Sequence, residues 1–185
     1  MHPQLLRRDQ AVLVLVDVQE RLHVEMSRRD AVALNLVKLA EAARLLQVPV
    51  VLTEHAAKAF GPTIEPVRAA LAGVVPLHKM AFSCFGSEPF RAALASLGRH
   101  QVVIAGYETH VCVCQTALDA QAAGYQVHLV RDASSSRMEA DYAVGLDKMA
   151  GAGVLPASAE TVIFELLEKA GTDEFRALLP VIKRK

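Results

Sequence analysis
A chain of 185 residues suffices for one domain and buries roughly 70% of its unfolded surface. Hydrophobic residues make up 52%, aromatics only 5% and Trp none, so the core must be aliphatic, as in parallel strands buried on both faces. Lys plus Arg total 20 and Asp plus Glu total 20, which lacks the basic excess of a nucleic-acid binder, and no apolar run reaches the roughly 18 residues of a membrane span.

Residues 1–10 hold Arg7 and Arg8 with no apolar stretch or small-residue cleavage site, so they read as an N-terminal extension rather than a signal peptide. The run Ala11-Val12-Leu13-Val14-Leu15-Val16 does not alternate and is rich in β-branched residues, which predicts a buried strand. Asp30 is placed to cap a helix over 30–47, with Leu34, Val37 and Leu45 at helical spacing. Residues 49–53 predict a second strand, and 54–62, which contain Gly61-Pro62, a loop. A short helix over 63–71 follows, with Pro66 in its first turn, where a missing N–H costs little. Residues 74–78 read as a third strand, and Pro76 within it argues for a sheet edge.

Ser87, followed by Glu88 and Pro89, opens a helix ending near Gly98. Residues 102–106 form the fourth strand, and 110–123 a helix stopped by Gly124. Then come a fifth strand (126–130), a helix (140–150), a short last strand (154–155), a helix (159–169) and a C-terminal helix or tail (170–185) ending in the solvated Lys183-Arg184-Lys185. Strands and helices alternate at intervals that suit right-handed crossovers. They predict a single α/β domain, an open, mainly parallel six-stranded sheet with helices on both faces. Three cysteines, an odd number without framework spacing, are expected to be reduced thiols in a cytoplasmic protein.

In such sheets ligands bind beyond the carboxyl ends of the strands. The polar residues there are Asp17 and Gln19, Glu54 and His55, His78 and Lys79, and Glu108, Thr109, His110 and Cys112. With Thr109 as N-cap, Cys112 falls in the first helical turn, where the dipole favours a thiolate. Its plainer reading is a small buried hydrophobe. Asp17 ends an aliphatic strand, a costly place for an acid without a partner or a task; capping, or a structural pairing with Lys79, would also account for it. Together the three supply a nucleophile, a proton acceptor and a cation, the parts of thiol-based acyl transfer. His110-x-Cys112-x-Cys114 makes a poor zinc site, because residues two apart on a helix point to different sides and no second ligand pair is evident. Cys114 is expected in the core. Cys84 fits either the core or a pocket wall. The serines 134–136 lack a G-x-S-x-G elbow, and Gly151-x-Gly153 opens no phosphate turn.

Val14-Leu15-Val16-Asp17-Val18-Gln19, His78-Lys79-Met80-Ala81-Phe82-Ser83 and the long stretch from Gly106-Tyr107-Glu108-Thr109-His110-Val111-Cys112 to Ala120 resemble the isochorismatase-like cysteine hydrolases. The resemblance spans 11–167 and implies strand order 3-2-1-4-5-6. It implies Asp17 as general base, Lys79 as charge support and Cys112 as the nucleophile forming a thioester. The N–H groups of Glu108 and Cys112 would make an oxyanion hole, with a cis Tyr107–Glu108 peptide. Nicotinamidases of that family carry a metal-binding Asp-x-His after strand two. Here Thr53-Glu54-His55-Ala56-Ala57 replaces it, so no metal or cofactor is expected. The isochorismatases proper lack the cysteine, which favours a small amide or carbamoyl-type substrate. Gln19, Phe82, Tyr107 and His110 are the expected substrate contacts, and a homo-oligomer without nucleic-acid or membrane partners is the expected assembly. The alternatives are a catalytically weak scaffold that keeps the fold, or a thiol redox protein.

Overall fold
The computed structural model describes residues 2–185. In chain order it contains β1 (Ala11–Val16), α1 (Glu20–His23), α2 (Arg29–Leu45), β2 (Val50–His55), α3 (Ala57–Phe60), α4 (Glu65–Ala70), β3 (Leu77–Lys79) and α5 (Glu88–Ser96). There follow β4 (Gln101–Tyr107), α6 (Cys114–Ala122), β5 (Gln126–Ser135), α7 (Glu139–Gly151), β6 (Leu155–Ala157), α8 (Ala159–Leu167) and α9 (Asp173–Ile182). The six strands form one sheet, all pairs parallel, in the order β3-β2-β1-β4-β5-β6. That is the topology the sequence implied.

Strand β1 is wholly buried because both its faces are covered. Its odd-numbered residues, Ala11, Leu13 and Leu15, pack with Leu36, Leu39, Val67, Ile163 and Leu178 from α2, α4, α8 and α9. Val12, Val14 and Val16 face Phe90, Leu94, Ala117 and Met149 from α5, α6 and α7. Two aliphatic layers therefore clamp the sheet, as the near absence of aromatics required.

Several boundaries differ from expectation. The third strand begins only after Pro76, whose missing N–H keeps it out of the ladder, and lies at the sheet edge as predicted. The expected loop over 54–62 holds the end of β2 and the single turn α3. Strand β5 runs on to Ser135, past the exposed Arg131, through a break in register between the pairs Ile104↔Leu129 and Gly106↔Ser134. This carries the chain across the site before α7 begins.

Candidate active site
Strands β1 and β4 end side by side, with Val16 opposite Gly106. The residues just past the strands turn through left-handed backbone, Asp17 at φ 55° and Glu108 at φ 56°. Non-glycine residues seldom adopt this conformation outside sites where the surroundings enforce it. Gly106 lets the strands approach: a Cβ there would lie 2.1 Å from the Val16 carbonyl oxygen. This junction, where strand order reverses, is the switch point at which open α/β sheets bind ligands.

Asp17 is fully buried. Its Oδ1 accepts a 2.8 Å hydrogen bond from the Thr53 hydroxyl on β2, and its Oδ2 lies 2.6 Å from Lys79 Nζ. The ammonium also donates to the carbonyls of Ala81 (3.1 Å) and Phe82 (2.9 Å). An ion pair this deep persists because either charge alone would be stranded in a medium that cannot solvate it.

Cys112 sits in a π-helical turn, Thr109–Val113, that leads into α6. The expected Thr109 cap is not formed: Glu108 occupies the cap position, and the buried Thr109 hydroxyl has no partner among the described residues. Cys112 is 6% exposed, and its thiol lies within the influence of the Asp17 carboxylate. Burial pushes it up to about 12, with the Asp17 charge adding to the rise and Lys79 opposing it. This corrects the expectation of a thiolate made by the helix terminus. Desolvation and a neighbouring anion outweigh a widened first turn, so the resting sulfur keeps its proton. Thr116 braces the turn from behind: its hydroxyl donates to the Cys112 carbonyl and accepts from the Cys84 N–H. Cys84 is core-packed, with its sulfur 3.7 Å from the Thr53 hydroxyl and its thiol pushed up to about 11 by burial. Cys114 lies in the core, as expected.

Asp17 and Cys112 line a cavity of about 370 Å³. His55, Phe60 and Phe82 make its aromatic wall, the His55 ring 5.9 Å from Phe60 and 5.5 Å from Phe82. Arg21, Glu25, Glu108 and Arg137 also line it. A larger cavity of about 460 Å³, lined by Val48, Pro49, Leu97 and Arg99, lies at the opposite end of the strands, away from Asp17, Lys79 and Cys112.

Of the expected substrate contacts, Phe82 and Tyr107 line the active cavity, and Gln19 and His110 do not. Gln19 is fully buried, and its amide donates to the carbonyls of His55 and Gly61 and accepts from the His55 N–H. It ties β1 to the β2–α3 turn. His110 turns back toward β5, its Nδ1 2.9 Å from the Ser136 hydroxyl. The Tyr107–Glu108 peptide is trans, since no described peptide bond is cis, and the positive φ of Glu108 makes the turn instead. Sequence reasoning missed Phe60, Arg21 and Arg137 as cavity residues, because only a side chain's direction separates them from ordinary surface positions. Among the described residues no group of three or more His, Cys, Asp or Glu is placed to hold a metal ion, and no helix is long and apolar enough to cross a membrane.

Comparison with known proteins gives the family from sequence and the fold from structure. Residues 11–161 match the model of the Isochorismatase domain. The mouse isochorismatase domain-containing protein 2A is 34% identical over 179 residues, covering 95% of this chain and 84% of its own. The MAR1 ribonuclease of Caenorhabditis elegans superposes with a TM-score of 0.91 at 28% identity, covering 97% of this chain and 92% of its own. The YcaC gene product of Escherichia coli, described as an octameric hydrolase of unknown specificity, gives 0.90 at 26% identity, covering 97% and 91%. With the domain model spanning most of its length and a six-stranded parallel sheet of the expected order, this chain belongs to the isochorismatase family.

Proposed function
We propose that this protein is a cysteine-dependent hydrolase of a small amide or carbamoyl-type compound. The observation that carries the reading is the buried Asp17–Lys79 pair, 2.6 Å apart, against the Cys112 thiol beside a cavity. The resting thiol is protonated, and Asp17 is the base that takes its proton. As Sγ bonds to the substrate carbonyl carbon, the thiol proton passes to Asp17 and on to the departing nitrogen when the C–N bond breaks. Lys79 keeps the charge near Asp17 balanced during the transfer. Among the described residues the Glu108 N–H meets no backbone acceptor and so is available to the developing oxyanion, with the Cys112 N–H as the second donor. Water, deprotonated by Asp17, then attacks the thioester, the C–S bond breaks, and the thiol regains its proton as the acid leaves. A redox role has less support, because burial holds both Cys84 and Cys112 as thiols, the less oxidisable form. A homo-oligomer in solution is the companion proposal, supported by the octameric E. coli structure.

The test is a panel of small amides, carbamoyl compounds and esters, run with the native protein and Cys112→Ser. Single-stranded RNA is included because one structural relative is called a ribonuclease. Amide or carbamoyl turnover that disappears in Cys112→Ser, with a thioester trapped at position 112, is the expected result. Turnover that survives the substitution, or RNA cleavage alone, refutes the reading.

A further inference from the structure
The cavity of about 460 Å³ at the far end of the strands has a structural origin. Pro76 delays the start of β3, so β3 pairs only with Thr53–His55 and the first half of β2 has no strand beside it on that edge. Val50, which opens β2, and Val74, two residues before Pro76, line the gap that results. Val48, Leu71 and Leu97 complete an apolar floor. The volume falls within the range of about 300–1,000 Å³ that small-molecule sites occupy.

Two guanidinium groups stand among these aliphatic side chains, and among the described residues no acid lines the cavity with them. Arg44, exposed in the last turn of α2, makes no side-chain hydrogen bond or ion pair with another described residue. Arg99, between α5 and β4, donates only through Nη1, to the carbonyls of Arg8 at 2.6 Å and Ala11 at 3.3 Å. Its Nε and Nη2 form an open edge, a planar pair of donors matched to a carboxylate. Such a lining repels a cation, and it gives a small hydrated anion nothing in return for the water it must shed at the floor. We propose that this cavity is a second binding site, separate from the one at Cys112, for an aliphatic carboxylate. The alkyl chain lies on the Val and Leu floor, and the carboxylate is held between Arg44 and the open edge of Arg99. The site owes nothing to Asp17, Lys79 or Cys112, so it stands whether or not the hydrolase reading does.

Calorimetry on the full chain with octanoate, octanol and octylammonium tests this. Octanoate is expected to bind at a single site, octanol about tenfold or more weakly, and octylammonium not at all. Shortening the chain to hexanoate weakens binding about tenfold, since each methylene taken off the apolar floor costs about threefold to fourfold. Arg44→Met weakens octanoate about tenfold or more and leaves octanol unchanged. Ala70→Phe places a ring in the gap and abolishes octanoate binding. Arg44→Met, at an exposed position, decides the matter even where Ala70→Phe does not fold. Phe60→Ala alters the wall of the Cys112 cavity and leaves octanoate binding as it was. Equal affinity for octanoate and octanol, no effect of Arg44→Met, weakened binding in Phe60→Ala, or no octanoate binding to the native protein overturns the inference.

Discussion
The Lys79 ammonium stands 2.6 Å from the Asp17 carboxylate, and each side chain is only 1% exposed. Neither ion has water to replace its partner. Lys79→Met leaves the carboxylate with the Thr53 hydroxyl as its one strong contact. The expected loss in chemical denaturation is about 3–5 kcal/mol, and the double variant Asp17→Asn/Lys79→Met regains part of it because no charge is then orphaned. Equal stability of the single and double variants would contradict this account.

On the proposed mechanism Asp17 has opposite effects on the thiol at rest and in reaction. Its charge helps hold the Cys112 thiol up at about 12, so native protein should react slowly with iodoacetamide near neutrality, the rate climbing into alkaline pH. Asp17→Asn removes that anion and leaves Lys79, so labelling of Cys112 at neutral pH accelerates. Turnover in the same variant falls by about 10²–10⁴, since the proton acceptor is gone. Labelling and turnover that decline together would show that Asp17 only supports the fold.

Gln19 secures the cavity from beneath through three hydrogen bonds to the backbone of His55 and Gly61. Gln19→Leu leaves those backbone groups unpaired in a buried place, at a cost of about 2–4 kcal/mol in denaturant unfolding. His55 then shifts against Phe82, so KM for any cavity substrate rises in the same variant.

Gly145 on α7 is in contact with the turn that bears Cys112. A Cβ there would lie 2.9 Å from the His110 Cα and 3.0 Å from its nitrogen. Gly145→Ala must displace the π turn, because both atoms are backbone. We expect a modest loss of stability, about 1–3 kcal/mol, with a larger proportional loss of kcat. An unaltered kcat would mean that the turn yields without moving Cys112.

His128, buried on β5, is pushed down to about 4 by burial. Its folded pKa lies below the unfolded value of about 6.5, so the unfolded chain takes up the proton first. The stabilisation is complete above about pH 6.5 and is lost as pH falls from there toward about 4. Melting temperatures measured across that interval should fall steeply for the native protein and less for His128→Leu.

The architecture was legible because the aliphatic runs of β1, β2 and β4 are continuous and end in charges, a pattern that burial on two faces imposes. Asp17 and Cys112 were legible because each is a chemically able residue beyond the end of a buried strand, and Lys79 because it closes the short edge strand β3. What the sequence does not carry is side-chain direction. Gln19 and His110 hold the same kind of position as Asp17 and Cys112, yet the structure turns both to structural bonds. The π turn has no residue signature, so neither the wider start of that helix nor the elevated Cys112 thiol could be foreseen. Arg137 became readable only once Glu108 was seen to engage one edge of it.

The hydrogen bonds from Lys79 to the Ala81 and Phe82 carbonyls give its ammonium a second task. The same nitrogen that neutralises the acid latches the lip on which the half-exposed Phe82 ring is mounted. Removing it, as in Lys79→Met, releases the doorway at the moment it orphans the Asp17 carboxylate. On the proposed mechanism, access and chemistry therefore fail as one event.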